Sequence, residues 1–206
     1  DDIIDECSTR RGKKTISAQF DNKLGVISGD YLLSIAMDKL TQIGDIGVIK
    51  KISQTIKYMC LGEINQNFDR FKIGTLDDYL EKNKNKTAYL FETALLGCMK
   101  LSHKNYDEKQ LSKLALDIGV AFQIRDDILN MTNFDSSKPV NNDFAQGIYN
   151  APVILGTKED NYASGIEKTK VLLNNYVQSA LEGIKDLPDN EYKFALVNFL
   201  ELLKDV

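Results

Sequence analysis

The stretch Leu111-Ser112-Lys113-Leu114-Ala115-Leu116-Asp117-Ile118-Gly119-Val120-Ala121-Phe122-Gln123-Ile124-Arg125-Asp126-Asp127-Ile128-Leu129-Asn130 decides the fold class. Leu111, Ala115, Ile118, Phe122 and Leu129 recur at the spacing that places side chains on one face of an α-helix, and no proline or paired glycine interrupts them. The same period returns upstream in Val26, Leu33, Ala36, Met37 and Leu40, in Ile49, Ile52, Ile56 and Met59, and in Leu80, Thr87, Leu90, Ala94 and Cys98. Breaks are expected at Gly44, at Gly74-Thr75, around His103 to Asp107, and from Thr132 to Asn142. Two further helices are expected over Tyr162 to Leu181 and Glu191 to Leu203, with the turn Pro188-Asp189-Asn190 between them. The three prolines all lie after position 138, and Asn-Gly or Asp-Gly hairpin signals are missing, which favours helix over sheet. The expectation is an all-α chain of long antiparallel helices joined by short turns.

Length and composition narrow the function. The chain has 206 residues, the size of one domain, with 43% apolar and 27% charged residues, enough to bury a core. Its net charge of −4, with no basic stripe, disfavours nucleic acid as a partner. No run approaches 18 consecutive apolar residues and no charged-then-apolar leader opens the sequence, so no transmembrane segment and a cytoplasmic location are expected. Cys7, Cys60 and Cys98 are odd in number and widely spaced, which fits free thiols. The single histidine, His103, sits in a turn-like segment, so a histidine triad or a multi-histidine metal site is excluded. Chemistry is left to carboxylates, Lys, Arg and metals.

Asp126 falls four residues after Phe122, on the stripe expected to face the core, where an ionised carboxylate costs several kcal/mol unless a cation or hydrogen bonds compensate. The chain opens with a related turn, Asp1-Asp2-Ile3-Ile4-Asp5. Two acidic turns on separate helices suit a hard cation held by oxygen, and Mg²⁺, which binds one or two carboxylates plus phosphates, is the expected one. Asp77-Asp78 differs, because it follows Gly74-Thr75 and reads as an ordinary helix start. Of four arginines, Arg10, Arg11 and Arg125 neighbour the acidic turns, and Thr9-Arg10-Arg11-Gly12-Lys13-Lys14 reads as a diphosphate clamp on a flexible loop. Glu63 and Thr87 are further polar residues at apolar spacing, as a polar cavity in the bundle would require.

Taken together, these residues resemble the trans-isoprenyl diphosphate synthases. Asp1-Asp2-Ile3-Ile4-Asp5 with Arg10-Arg11-Gly12 is similar to the first aspartate-rich motif of that family. Gly29-Asp30-Tyr31-Leu32-Leu33, Gly62-Glu63 with Gln66, and Lys86-Thr87-Ala88 follow in family order. Phe122-Gln123-Ile124 leads into the second aspartate-rich motif, and Lys138-Pro139, Asp143, Gly147 and Pro152-Val153-Ile154 resemble the closing loop. The resemblance covers nearly all of positions 1 to 156.

It implies an isoprenoid-synthase-type helix bundle with a central active-site cavity, and head-to-tail addition of isopentenyl diphosphate to an allylic diphosphate with release of diphosphate. Asp1, Asp2, Asp5, Asp126 and Asp127 would bind the allylic diphosphate through Mg²⁺. Arg10, Lys86 and Lys138 would contact it directly, Arg11 would serve the homoallylic diphosphate, and Thr87 and Gln123 would place oxygen dipoles near the carbocation. The gap between Asp2 and Asp5 and the Gly29-Asp30-Tyr31 region are most similar to catalytic subunits of medium- and long-chain, heptaprenyl-type enzymes that make quinone side chains. Such subunits are homodimers or pair with a small partner subunit.

Two departures stand out. Asn130 occupies a position where the family usually has Asp, and the helices that precede the first motif in the family, with a Gly-Lys-Arg segment for isopentenyl diphosphate, have no counterpart in these 206 residues. Residues 1–206 are therefore expected to be one polyprenyl synthase domain truncated on its N-terminal side. The alternatives are a non-catalytic or regulatory subunit of a heteromeric synthase, which should have lost its aspartates and Lys86, and a Mg²⁺-dependent terpene cyclase, which needs no second diphosphate site.

Overall fold

The computed structural model of the chain describes residues 2–132, 142–157 and 162–206. The first acidic turn leads into a short antiparallel hairpin of β1 (Thr9–Arg10) and β2 (Lys13–Lys14). This corrects the expectation of a flexible loop with no hairpin. Arg11 (φ 51°) and Gly12 (φ 73°) both adopt left-handed backbone, as a two-residue hairpin turn requires. The short helix α1 (Ile16–Gln19) follows, capped by the Thr15 hydroxyl.

Capping side chains then delimit the long helices. Asp21 accepts a hydrogen bond from the Leu24 amide and opens α2 (Asn22–Ile43), which ends at Gly44 in left-handed conformation. Asp45 caps α3 (Ile46–Phe68). Thr75 and Asp78 cap α4 (Leu76–Asn83) reciprocally, which explains the Asp77-Asp78 pair without a metal. A π-helical turn, Lys84–Ala88, joins α4 to α5 (Tyr89–Leu101). Then come α6 (Glu108–Thr132), α7 (Asn142–Ala145), α8 (Ala151–Gly156, with Pro152 in its first turn), α9 (Tyr162–Ile184) and α10 (Glu191–Leu202).

Helix α6 is the axis of the packing, lying against α5, the π turn, α8 and α9. Leu114, Ile118, Ile124 and Ile128 of α6 are fully buried among Leu173, Val177, Ala180 and Ile184 of α9 and Leu200 of α10. Each of the leucine, isoleucine and valine side chains contributes about 1.5–3 kcal/mol through burial. Where α6 meets the π turn, Gly119 leaves no room for a side chain: a Cβ there would lie 2.4 Å from Ala88 Cα. Backbone therefore meets backbone, and Lys86 and Thr87 are carried up against the second acidic turn.

Several expected apolar faces are not where periodicity placed them. On α6 the buried arc centres on Leu114, Ala121 and Ile128, seven residues apart, while Phe122 stays 40% exposed and Asp126 is half-buried beside it. Asp127, at 4% exposure, is the carboxylate that enters the core. A helix covered on most of its circumference shows several apolar stripes, and the one through Ala115, Ile118 and Phe122 runs at the margin. On α2 no residue is buried, and Val26 and Leu33 are exposed. The Leu80 to Cys98 stripe is broken by the π turn, whose wider winding rotates α5 relative to α4, leaving Leu90, Ala94 and Cys98 exposed and burying Glu92, Thr93 and Leu96 instead. The expected break after Thr132 and the residue Lys138 fall largely outside the described residues, as does Asp1.

Candidate active site

In the first acidic turn the Arg10 Nε lies 2.5 Å from Asp2 Oδ1, and Arg10 Nη2 lies 3.9 Å from Asp5 Oδ2. The hairpin folds Arg10 back over these two carboxylates, whereas Arg11, at the turn, is exposed. The basic segment is thus divided, with one guanidinium directed to the acidic turn and one to solvent.

Across the site, Glu63 of α3 holds Lys86 of the π turn, with 2.7 Å between Glu63 Oε1 and Lys86 Nζ. Burial works against the Lys86 ammonium, but the bond and charge of Glu63, with attraction from Asp5 and Asp127, more than offset it and raise its pKa. Lys86 therefore stays charged between the two acidic turns. A bond from the Gln146 amide to the Asp5 carbonyl, at 3.4 Å, ties the segment after α7 to the first turn.

The second turn is organised by hydrogen bonds. Thr87 donates its hydroxyl to Gln123 Oε1 at 2.7 Å, and Gln123 Nε2 donates to Asp127 Oδ1 at 3.1 Å. Tyr79 of α4 donates its hydroxyl to Asp127 Oδ2 at 2.5 Å. Asn150 Nδ2 donates both to Asp127 Oδ1, at 3.2 Å, and to Asp143 Oδ2, at 2.8 Å. Burial pushes the Asp127 carboxyl up to about 7, against the opposing effect of the Tyr79 hydroxyl and Lys82. Asp127 thus spends both oxygens on protein donors, while Asp126, one residue earlier, lies on the less covered side of α6.

The hydrogen-bonded line from Thr87 through Gln123 to Asp127 joins three residues singled out from the sequence. Tyr79, Lys82 and Asn150 were missed. A tyrosine on the inner face of a short amphipathic helix signals a buried hydroxyl in search of an acceptor, and that signal was available at Tyr79. Nothing local marks Lys82 or Asn150, whose partners come from distant elements. Among the described residues no group of three or more acidic, histidine or cysteine side chains is close enough to hold a metal by itself. A cation at this place would have to take its remaining ligands from water and phosphate oxygens, the mode Mg²⁺ favours. A cavity of about 510 Å³ borders the site between the end of α3, α4 and Ile148-Tyr149, sharing Tyr79 and Lys82 with it but not Lys86 or Asp127.

The sequence profile of the Polyprenyl synthetase family matches residues 1–187. The chain is 33% identical over 216 aligned positions to a prenyl transferase of Porphyra purpurea, covering 91% of this chain and 67% of that protein. It is 36% identical over 162 positions to component 2 of the heptaprenyl diphosphate synthase of Bacillus subtilis, covering 77% of this chain and 47% of that protein. The crystal structure of heptaprenyl diphosphate synthase from Staphylococcus aureus superimposes with a TM-score of 0.91 at 26% identity, over all of this chain and 74% of the other.

Proposed function

The chain belongs to the polyprenyl synthetase family and is a trans-prenyltransferase, and from that premise we propose that it condenses isopentenyl diphosphate with an allylic diphosphate to build a medium- or long-chain polyprenyl diphosphate for a quinone side chain. The observation that carries this reading is the Lys86 ammonium, held by Glu63 and attracted by both Asp5 and Asp127, with Thr87 hydrogen-bonded to Gln123 on the adjoining positions. A charged ammonium for a diphosphate adjoins the Thr87 and Gln123 oxygens, whose dipoles would suit a carbocation.

Residues 1–206 form one synthase domain in this reading. Arg10, Lys86 and Lys138 hold the allylic diphosphate, and Arg11 serves the homoallylic one. Asp1, Asp2, Asp5 and Asp126 would hold Mg²⁺, with Asp127 orienting the turn from behind. When bound, such a divalent cation would supply charge neutralisation for the departing diphosphate. As the allylic C–O bond breaks, its electron pair leaves with the diphosphate, and Lys86 and Arg10 stabilise the charge that develops there. The double bond of isopentenyl diphosphate attacks the allylic carbon, a proton is lost from the new adduct, and the departing diphosphate takes it. The carbocation must meet the alkene before it meets water, so the reaction calls for a site closed to solvent.

Partners are assigned on the same footing. Helix α2 buries no side chain and exposes Val26, Ile27, Tyr31 and Leu32, the surface expected of a subunit contact. We assign this face to a second copy or to a small partner subunit. Among the described residues no helix is long and apolar enough to cross a membrane, and the free thiols Cys7, Cys60 and Cys98 fit a cytoplasmic setting.

Incubating the full-length protein with farnesyl and isopentenyl diphosphates and Mg²⁺, and sizing the products by mass, tests the reading. Polyprenyl diphosphates several units longer than the primer are expected, with turnover lowered by orders of magnitude in Asp2→Ala and Asp126→Ala. A cyclised product, or full activity in both variants, overturns it.

A further inference from the structure

Asn150 occupies the cap position of α8, yet its side chain makes no capping bond. Its backbone carbonyl accepts from the Val153 and Ile154 amides as in any helix start, while the side chain turns inward and is 7% exposed. An asparagine at this position ordinarily accepts from the first-turn amides. Here the carboxamide is instead spent on three other elements. Nδ2 donates to Asp127 of α6 and Asp143 of α7, and Oδ1 accepts from Lys82 Nζ of α4 at 3.3 Å.

Lys82 is itself placed by its neighbours. Its ammonium lies 5.6 Å from the centre of the Tyr79 ring, one turn away on α4, and the hydroxyl of that tyrosine holds the other oxygen of Asp127. Helix α4 therefore grips Asp127 twice, directly through Tyr79 and indirectly through Lys82 and Asn150. With Lys82 on the carbonyl side, the amide of Asn150 is fixed with its hydrogens toward the two carboxylates, so the flipped orientation is excluded.

We propose that Asn150, oriented by Lys82, is a positioning residue for the carboxylates of Asp127 and Asp143: its single amide sets the distance between the acidic turn of α6 and the segment of α7, and holds Asp127 turned away so that Asp126 faces the diphosphate. The proposal rests on the assignment of this site to diphosphate and a divalent cation. It accounts for a cap side chain that does not cap and for the bond from Lys82 to the Asn150 carbonyl oxygen. The arrangement is mechanically sound because each arm comes from a different element, so displacement of any one is resisted by the other two.

Asn150→Ser separates positioning from capping, since serine caps a helix well but cannot bridge two carboxylates. In the full-length protein we expect Asn150→Ser to keep its thermal midpoint within a few degrees, to weaken Mg²⁺-dependent binding of inorganic pyrophosphate by about 10–100-fold in calorimetry, and to lower kcat more than it raises the KM for isopentenyl diphosphate. Lys82→Met should act in the same direction and Lys82→Arg should restore binding. Pyrophosphate affinity in Asn150→Ser equal to that of the wild type overturns the proposal and leaves the prenyltransferase reading standing. Failure of the wild-type protein to bind pyrophosphate with Mg²⁺ overturns both.

Discussion

The Thr87 hydroxyl donates to Gln123 Oε1 at 2.7 Å, and this one bond dictates the direction of the Gln123 amide. With its oxygen committed to Thr87, Gln123 can present only hydrogens to Asp127, which it does at 3.1 Å. The π turn and the second acidic turn thus act as one hydrogen-bonded unit.

Thr87→Val and Gln123→Leu should therefore be non-additive. Each is expected to lower kcat, and the double variant should lose less than the product of the two, with a coupling energy of about 0.5–3 kcal/mol. Turnover of the four proteins of the cycle in the full-length enzyme measures it; strictly multiplicative losses would break the link between Thr87 and Asp127.

Asp127 predicts a pH dependence of stability. Its carboxyl is raised from the ordinary value of 3.8 to about 7 by burial, so between those values the folded protein keeps a proton that the unfolded chain has lost. Stability of the metal-free protein should fall as pH rises through this window, by at most roughly 1.4 kcal/mol per pH unit, and level off above about 7. Asp127→Asn can accept from Gln123 and Asn150 through its oxygen and donate to Tyr79 through its nitrogen. It should therefore fold and lack this decline. Urea unfolding from about pH 4 to 8 compares the two, and parallel curves would mean that the buried carboxyl stays ionised.

Gly119 ties packing to the site. A methyl group there would meet Ala88 Cα at 2.4 Å and Ala88 Cβ at 2.8 Å, so Gly119→Ala must push α6 away from the π turn. A cost of about 1–3 kcal/mol is expected, together with a raised KM for the allylic diphosphate as Lys86 moves. Gly29→Ala on the exposed α2, where nothing lies within 4 Å, should be neutral or stabilising by up to about 1 kcal/mol. Circular dichroism melts and initial rates distinguish the two; equal behaviour would show that α6 has slack at this contact.

Much of this protein was determined locally and was therefore legible in the sequence. Thr75 starts a helix because its side chain bonds the amide three residues on, and Gly44 ends one because glycine adopts the left-handed conformation cheaply. The two acidic turns, Arg10, and the Lys86-Thr87 pair were evident for a similar reason: each is a short motif whose chemistry needs neighbours in sequence. Tertiary structure alone decided which carboxylate of Asp126-Asp127 goes inside. That choice depends on how α6 is covered by α4, α8 and α9, and adjacent residues on a helix differ by about 100° in direction, so a modest rotation of α6 exchanges them. It also decided the partners of the buried one. Tyr79 and Asn150 lie 48 and 23 residues from Asp127 along the chain, and Lys82 lies 68 from Asn150. No periodicity links positions so far apart; they meet because burying the apolar faces of α6, α8 and α9 brings their helices together, and the polar side chains left inside must then satisfy one another.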